Sequence, residues 1–165
     1  KYLQGSRIPD IYGSISSSLK FRGFDLGLLF TYSLGGKIYD SIYNALMEPS
    51  FVGQTYHRNA LRTWTAPGQR TDVPRTTTTA STQITDRYLI DASYFAVKNI
   101  SLGYSLPKQL LGKVGIESLR IYLAADSPWI FTHLKGMNPQ ASFTGSTSYS
   151  YTPNRTFTLG VDLKF

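Results

Sequence analysis

The sequence predicts an all-β chain, an antiparallel up-and-down meander of about five strands of the kind that builds a transmembrane β-barrel. Three observations predict it. Apolar and small polar residues alternate with a period of two in five segments, the connections between them run short, long, short, long, and aromatic residues stand at the segment ends.

The first strand is predicted over 11–21, where Ile15, Leu19 and Phe21 share one parity and Ser14, Ser16, Ser18 and Lys20 the other. Arg22 and Gly23 separate it from 24–34, where Phe24, Leu26, Leu28, Phe30, Tyr32 and Leu34 alternate with Asp25, Gly27, Leu29, Thr31 and Ser33. Two intervening residues make the pair a tight hairpin. After Gly35-Gly36 the period disappears, with weak helical character over Asp40 to Met47, then Pro49, Pro67, Pro74 and the Thr76 to Thr79 run. A loop this long is usually functional or disordered, and the Thr/Ser tract favours disorder.

Alternation resumes in the third strand, 92–106, with Tyr94, Ile100, Leu102, Tyr104 and Leu106 on one parity, and Pro107 ends it. A connector, Lys108 to Gly115, leads to the fourth strand, 116–127, with Leu119, Ile121, Leu123 and Ala125 on the apolar parity. Pro128 is expected to stop that strand, because proline cannot donate to a ladder. A second long loop reaches Arg155, and the fifth strand, 155–165, carries Phe157, Leu159, Val161, Leu163 and Phe165 against Thr156, Thr158, Gly160, Asp162 and Lys164.

Each strand is near the ~9 to 11 residues that cross a bilayer at a tilt. With Phe165 at the periplasmic end, both short connectors fall on the periplasmic side and both long loops outside, the asymmetry of outer-membrane barrels. Phe21, Phe24, Tyr104 and Phe165 then mark the periplasmic interface, and Tyr32 and Tyr94 the outer one. Lys98 and Arg155 lie on the lipid-facing parity near the outer ends of their strands, where a basic side chain costs ~0 to 1 kcal/mol against ~2 to 4 at the midplane. They are expected to meet anionic lipid head groups. The alternative is a stand-alone β-sandwich, a glycan-binding module, which would show similar alternation. Serine, threonine and glycine suit a wet lumen better than the outside of a sandwich.

Composition narrows the function. The 165 residues carry 17 Lys+Arg against 10 Asp+Glu, net charge +7, but the charges are scattered and no RNP-like or recognition-helix motif appears, so no nucleic-acid partner is expected. Absent cysteine excludes disulfides, thiolate metal sites and cysteine nucleophiles, and the 2 histidines leave little for a metal. No apolar run approaches the ~18 to 20 residues of a spanning helix, and Lys1 to Gly5 opens no signal peptide. His57 and His133 fall in different loops, and Ser93 has no His/Asp partner pattern. Asp25, Asp126 and Asp162 share the lumen parity, where they are expected to balance Arg120 and Lys20. No enzyme activity, catalytic residue, metal or cofactor is therefore expected.

The motifs resemble a known family. The run from Asp91 to Pro107, with Ser93-Tyr94, Lys98-Asn99-Ile100 and Leu102-Gly103-Tyr104 closing on Leu106-Pro107, is similar to the SusC/RagA signature. Leu119-Arg120-Ile121-Tyr122 resembles that family's Leu-Arg-Val-Tyr strand, Lys135 to Gln140 its Lys-Gly-x-Asp-Pro-Glu loop, and Pro153 to Phe165 its closing strand. Gly23 to Leu26 and Tyr32 to Gly36 resemble the preceding hairpin. In four places the chain departs from the pattern: Ala96 stands for Arg, Ser127-Pro128 for Asn-Leu, and Asn138 and Gln140 for acidic residues.

The resemblance implies the last ~5 strands of a ~22-stranded barrel in the outer membrane of Bacteroidetes, with the plug domain outside this chain. It implies a TonB-dependent importer of glycan or peptide oligomers, partnered by a SusD-like lipoprotein lid, by the TonB complex through the missing N-terminal region, by the remaining barrel and plug, and by outer-membrane lipid. Loops carry recognition, so Trp64, Tyr56, Trp129, Tyr149 and Tyr151 are expected to touch substrate or lid. The alternating Val161, Leu163 and Phe165 look like the signal that barrels present to the barrel assembly machinery, an apolar-faced edge strand.

Overall fold

Five of the paired segments form one antiparallel sheet. The computed structural model describes residues 4–48, 53–75, 85–112, 115–134, 138–141, 145–147 and 153–165. The long strands are β1 (Ile11–Phe21), β2 (Phe24–Leu34), β5 (Tyr94–Ser105), β6 (Ser118–Thr132) and β7 (Thr156–Lys164), adjacent in that order. Short β3 (Lys37–Tyr39) and β4 (Leu89–Asp91) pair separately within the first long loop. Each long strand thus lies beside the next, an up-and-down meander with β1 and β7 at the two edges. Arg22 (φ 46°) and Gly23 (φ 88°) both take positive φ, the turn whose twist matches a two-residue hairpin.

Register turns the period of two into two faces. Leu19, Leu26, Leu102, Leu123 and Leu159 are successive partners across all five strands, a single rung of leucines. The next residue inward on the opposite face gives Ser18, Gly27, Ser101, Ala124 and Thr158, a rung of small side chains. The apolar face is bare: Leu123 is 56% exposed, Leu159 71% and Phe157 72%. A β-sandwich needs a second sheet over that face, and the described residues provide a single layer; the sandwich alternative is set aside. Among them no helix is long and apolar enough to cross a membrane.

Pro128 does not stop its strand. β6 continues to Thr132 because a bulge absorbs the proline: Asn99 pairs with Asp126 and Val97 with Trp129, so Lys98 faces both Ser127 and Pro128. Ser127 sits at φ 50°, and Pro128 is fully buried. A bulge is where a residue without an N–H can stay in a sheet. β5 shifts register against β2 as well, between Leu29 and Phe30. Parity in β5 therefore switches outward of Lys98. Phe95, partnered by Tyr32 and Phe131, takes the apolar face in place of Tyr94, whose partners are Ser33 and Thr132. The outer aromatic girdle consists of Phe30, Phe95 and Phe131, with ring centroids 5.7 and 6.3 Å apart, and the inner one pairs Phe24 with Tyr104 at 4.5 Å.

The described part of the first long loop is folded. Asp40 caps α1 (Ser41–Met47), its Oδ1 accepting from the Tyr43 backbone N–H at 2.9 Å. Met47, Val73 and Tyr88 form a small core, flanked by Tyr39, Tyr43 and Ala60. The Thr76 to Thr79 run lies outside the described residues. The second long loop joins the first: Tyr39 donates its backbone N–H to Gly145 and Thr147 donates to Tyr39, so 145–147 runs along β3. The connector between β5 and β6 contains one helical turn, α2 (Lys108–Leu111).

Candidate functional site

The polar face and its outer mouth are the candidate site. At the inner end, the Arg120 guanidinium on β6 donates Nη2 to Asp25 Oδ2 at 2.6 Å, Nε to Asp25 Oδ1 at 3.0 Å, and Nη1 to Asp162 Oδ2 at 3.1 Å. One base thus ties β2 to β7, satisfying the expectation that Asp25 and Asp162 balance Arg120. Lys20 is the register partner of Asp25. Asp126 differs: its Oδ1 accepts from Asn99 Nδ2 at 2.6 Å. Side chains here are otherwise small, leaving open space beside the wall.

At the outer end, Tyr12, Ser33, Tyr94 and Thr132 form the last rung of that face. Above it lies a cleft of about 520 Å³ lined by Tyr12, Tyr94, Arg7, Lys37 and Gln140. A second cleft, about 370 Å³, holds Lys98, Trp129, Asn138, Arg155 and again Gln140. Asp91 at the end of β4 has its carboxyl held below the usual carboxylate range, chiefly because the Ser93 hydroxyl and then the Ser93 backbone N–H donate to it. In the loop core, burial and then the Glu48 charge push the Tyr88 phenol up to about 12.

The predicted site residues divide. Trp129 is a strand residue of β6, in register with Val97 and 52% exposed, because the bulge carries the strand past Pro128; the expectation of a loop position is corrected. Tyr56 is exposed on the first loop, and Trp64 is half-buried there with its backbone N–H on Val73. Tyr149 and Tyr151 lie outside the described residues. The structure does not bring Tyr56, Trp64 and Trp129 into one cleft. Lys98 is half-buried and its ammonium donates to Gln140 Oε1, a contact with the outer loop. Arg155 is exposed just before β7, and Val161, Leu163 and Phe165 are exposed along it and beyond. Missed by sequence reasoning were Gln140 and the Tyr12–Ser33–Tyr94 rung. The one signal for Gln140 was its departure from an acidic family position.

No family model matches the sequence. It is 32% identical over 172 residues to TonB-dependent receptor P3 of Formosa agariphila, covering 98% of this chain and 17% of that protein. It is 26% identical over 171 residues to TonB-dependent receptor SusC of Bacteroides thetaiotaomicron, covering 100% of this chain and 16% of that protein. The chain therefore spans a small part of the length of these curated relatives. Among solved structures it superposes on the RagAB peptide importer in its closed-closed state with a TM-score of 0.86 at 27% identity, and in its open-open state with 0.82 at 26% identity; each match covers 99% of this chain and 18% of the other. The antiparallel meander, its open edges and these likenesses along nearly its whole length place the chain within the SusC/RagA family of TonB-dependent receptors, as a segment of their β-barrel.

Proposed function

We propose that this segment is part of the wall of an outer-membrane, TonB-dependent importer of nutrient oligomers, glycan or peptide, that works with a SusD-like surface lipoprotein. One observation carries the reading: five strands present leucines and aromatics, uncovered, on one face, and small polar residues with an Arg120-centred ion cluster on the other. An apolar patch crossing five strands exceeds what soluble monomers leave in water, and lipid is the environment that suits it. The small opposite face leaves clearance for a plug and for solute. The peptide arm draws on the RagAB structures, described as a peptide importer.

Within this reading Tyr56, Trp64, Tyr149 and Tyr151 serve contact with lid or substrate, while Trp129, whose partner Val97 pairs with Phe30, belongs to the outer aromatic girdle of the apolar face. Arg155 meets lipid head groups, and the apolar row Val161, Leu163 and Phe165 serves assembly. The relatives are receptors and importers, and the reading includes no catalytic step. The test is uptake of fluorescent oligosaccharides and oligopeptides by cells expressing the complete receptor that carries this segment, with and without TonB and the lipoprotein. Uptake should be lost without TonB and reduced without the lipoprotein; uptake indifferent to both would overturn the proposal.

A further inference from the structure

We infer that the Lys98–Gln140 pair at the outer mouth is a subsite for a carboxylate group carried by the imported oligomer, an inference that rests on the importer reading above. Lys98 is the extra residue where β5 bulges against β2, between the pairs Leu29–Asn99 and Phe30–Val97, and a bulge re-aims the side chain it carries. Its half-buried ammonium donates to the Gln140 amide oxygen. Among the described residues no carboxylate lies within 4 Å of it. A partly desolvated cation facing only a neutral amide is undercompensated, and an anion relieves it.

Gln140 itself has a donor to spare: Nε2 is buried without an acceptor. Entry of an anion beside Lys98 turns the amide so that Nε2 meets it, and two donors then face one planar group. Among the described residues nothing acidic competes. From His133 to Arg155 the sequence holds no Asp or Glu, and none lines either cleft that Gln140 borders. Where the resembled loop pattern has two acidic residues, this chain has Asn138 and Gln140. A glutamate at 140 would neutralise Lys98 from within the protein; the amide leaves its charge for a ligand. Asn138 borders the first cleft, and Tyr12 and Tyr94 the second, surfaces for the rest of the oligomer.

The carboxylate can come from a peptide, through its C-terminus or an acidic side chain, or from a uronic acid. The test uses the complete receptor with its lipoprotein in detergent, titrated calorimetrically with two probe pairs: a short peptide as free acid and as C-terminal amide, and an oligogalacturonate and its methyl ester. The free acid of one pair should bind about tenfold more tightly than its neutral counterpart, the scale of one charge-assisted contact. The pair that shows this preference identifies the source. Gln140→Glu, close in shape to the native side chain, and Lys98→Met should each bring the acid-to-neutral ratio to about one. A ratio unchanged in Gln140→Glu, or near one in the unmodified receptor while neutral probes still bind and enter cells, would overturn the subsite and leave the importer reading standing. Failure of all four probes to bind or enter would overturn both. Heat-modifiable migration confirms that each variant has assembled.

Discussion

Arg120 and Asp25 pair across an intervening strand. Arg120 is on β6 and Asp25 on β2, with β5 between them, and the bidentate contact passes over Gly103, the β5 partner of Asp25. A Cβ at 103 would stand 2.5 Å from Asp25 Oδ1 and 2.6 Å from Arg120 Nη2. The glycine is thus a condition of the ion cluster, which extends on to Asp162.

Gly103→Val should cost about 1 to 3 kcal/mol of barrel stability, in the range of overpacking. The same change in an Arg120→Ala background should cost less, because the guanidinium no longer fills the space. Denaturant titration of the assembled receptor, single against double variant, measures the difference. Full additivity would show that Gly103 matters for another reason.

The bulge makes its own prediction. Ser127 sits at φ 50°, a conformation that costs a residue with a Cβ about 1 to 2 kcal/mol and glycine none. Ser127→Gly should be stabilising by up to that amount, and Ser127→Val, whose branch adds crowding at the Cβ, destabilising, read from the same titrations. Equal stability of the two variants would argue against the bulge.

Much of the sheet was legible because alternation and register carry the same information: Leu19, Leu26, Leu102, Leu123 and Leu159 could be placed on one face from sequence. The Arg22-Gly23 hairpin was legible from its length. What periodicity could not reveal was an interruption of the period. Lys98 and Tyr94 continue the parity of Ile100 on paper, and the pairing of Val97 with Phe30 on one side and Trp129 on the other shows the switch. Pro128 carried the correct rule, no ladder donor, but the rule permits two outcomes, a strand end or a bulge. The lumen acids and Arg120 were legible as opposite charges on one face; which of them pair depends on the missing side chain at Gly103. The core of Met47, Val73 and Tyr88 joins residues far apart in an aperiodic loop, where no local pattern marks them.

That loop core should titrate late. Tyr88 is 2% exposed, and its hydroxyl donates to Glu48 Oε1 at 3.2 Å. Burial first, then the Glu48 charge, raise the phenol from its ordinary 10.0 to about 12. The folded loop favours the neutral phenol, so this contribution to its stability is fully present below pH 10 and is lost as the pH rises through about 12. Near-ultraviolet titration should show a late phenol that Tyr88→Phe removes and Glu48→Gln moves to lower pH. An unchanged high-pH limb in Tyr88→Phe would refute the assignment.

In an importer wall, neighbouring residues of one strand face lipid and water in turn. Ser18 and Leu19 on β1 are both exposed, on opposite faces, and the chain has no cysteine of its own. Single Ser18→Cys and Leu19→Cys variants of the complete receptor, freed of any other cysteine, can be treated in intact outer membranes with a water-soluble maleimide. Position 18 should be labelled and position 19 protected, with position 19 reached only by a reagent that partitions into lipid. Labelling of both positions alike, or of 19 in preference to 18, would contradict that arrangement.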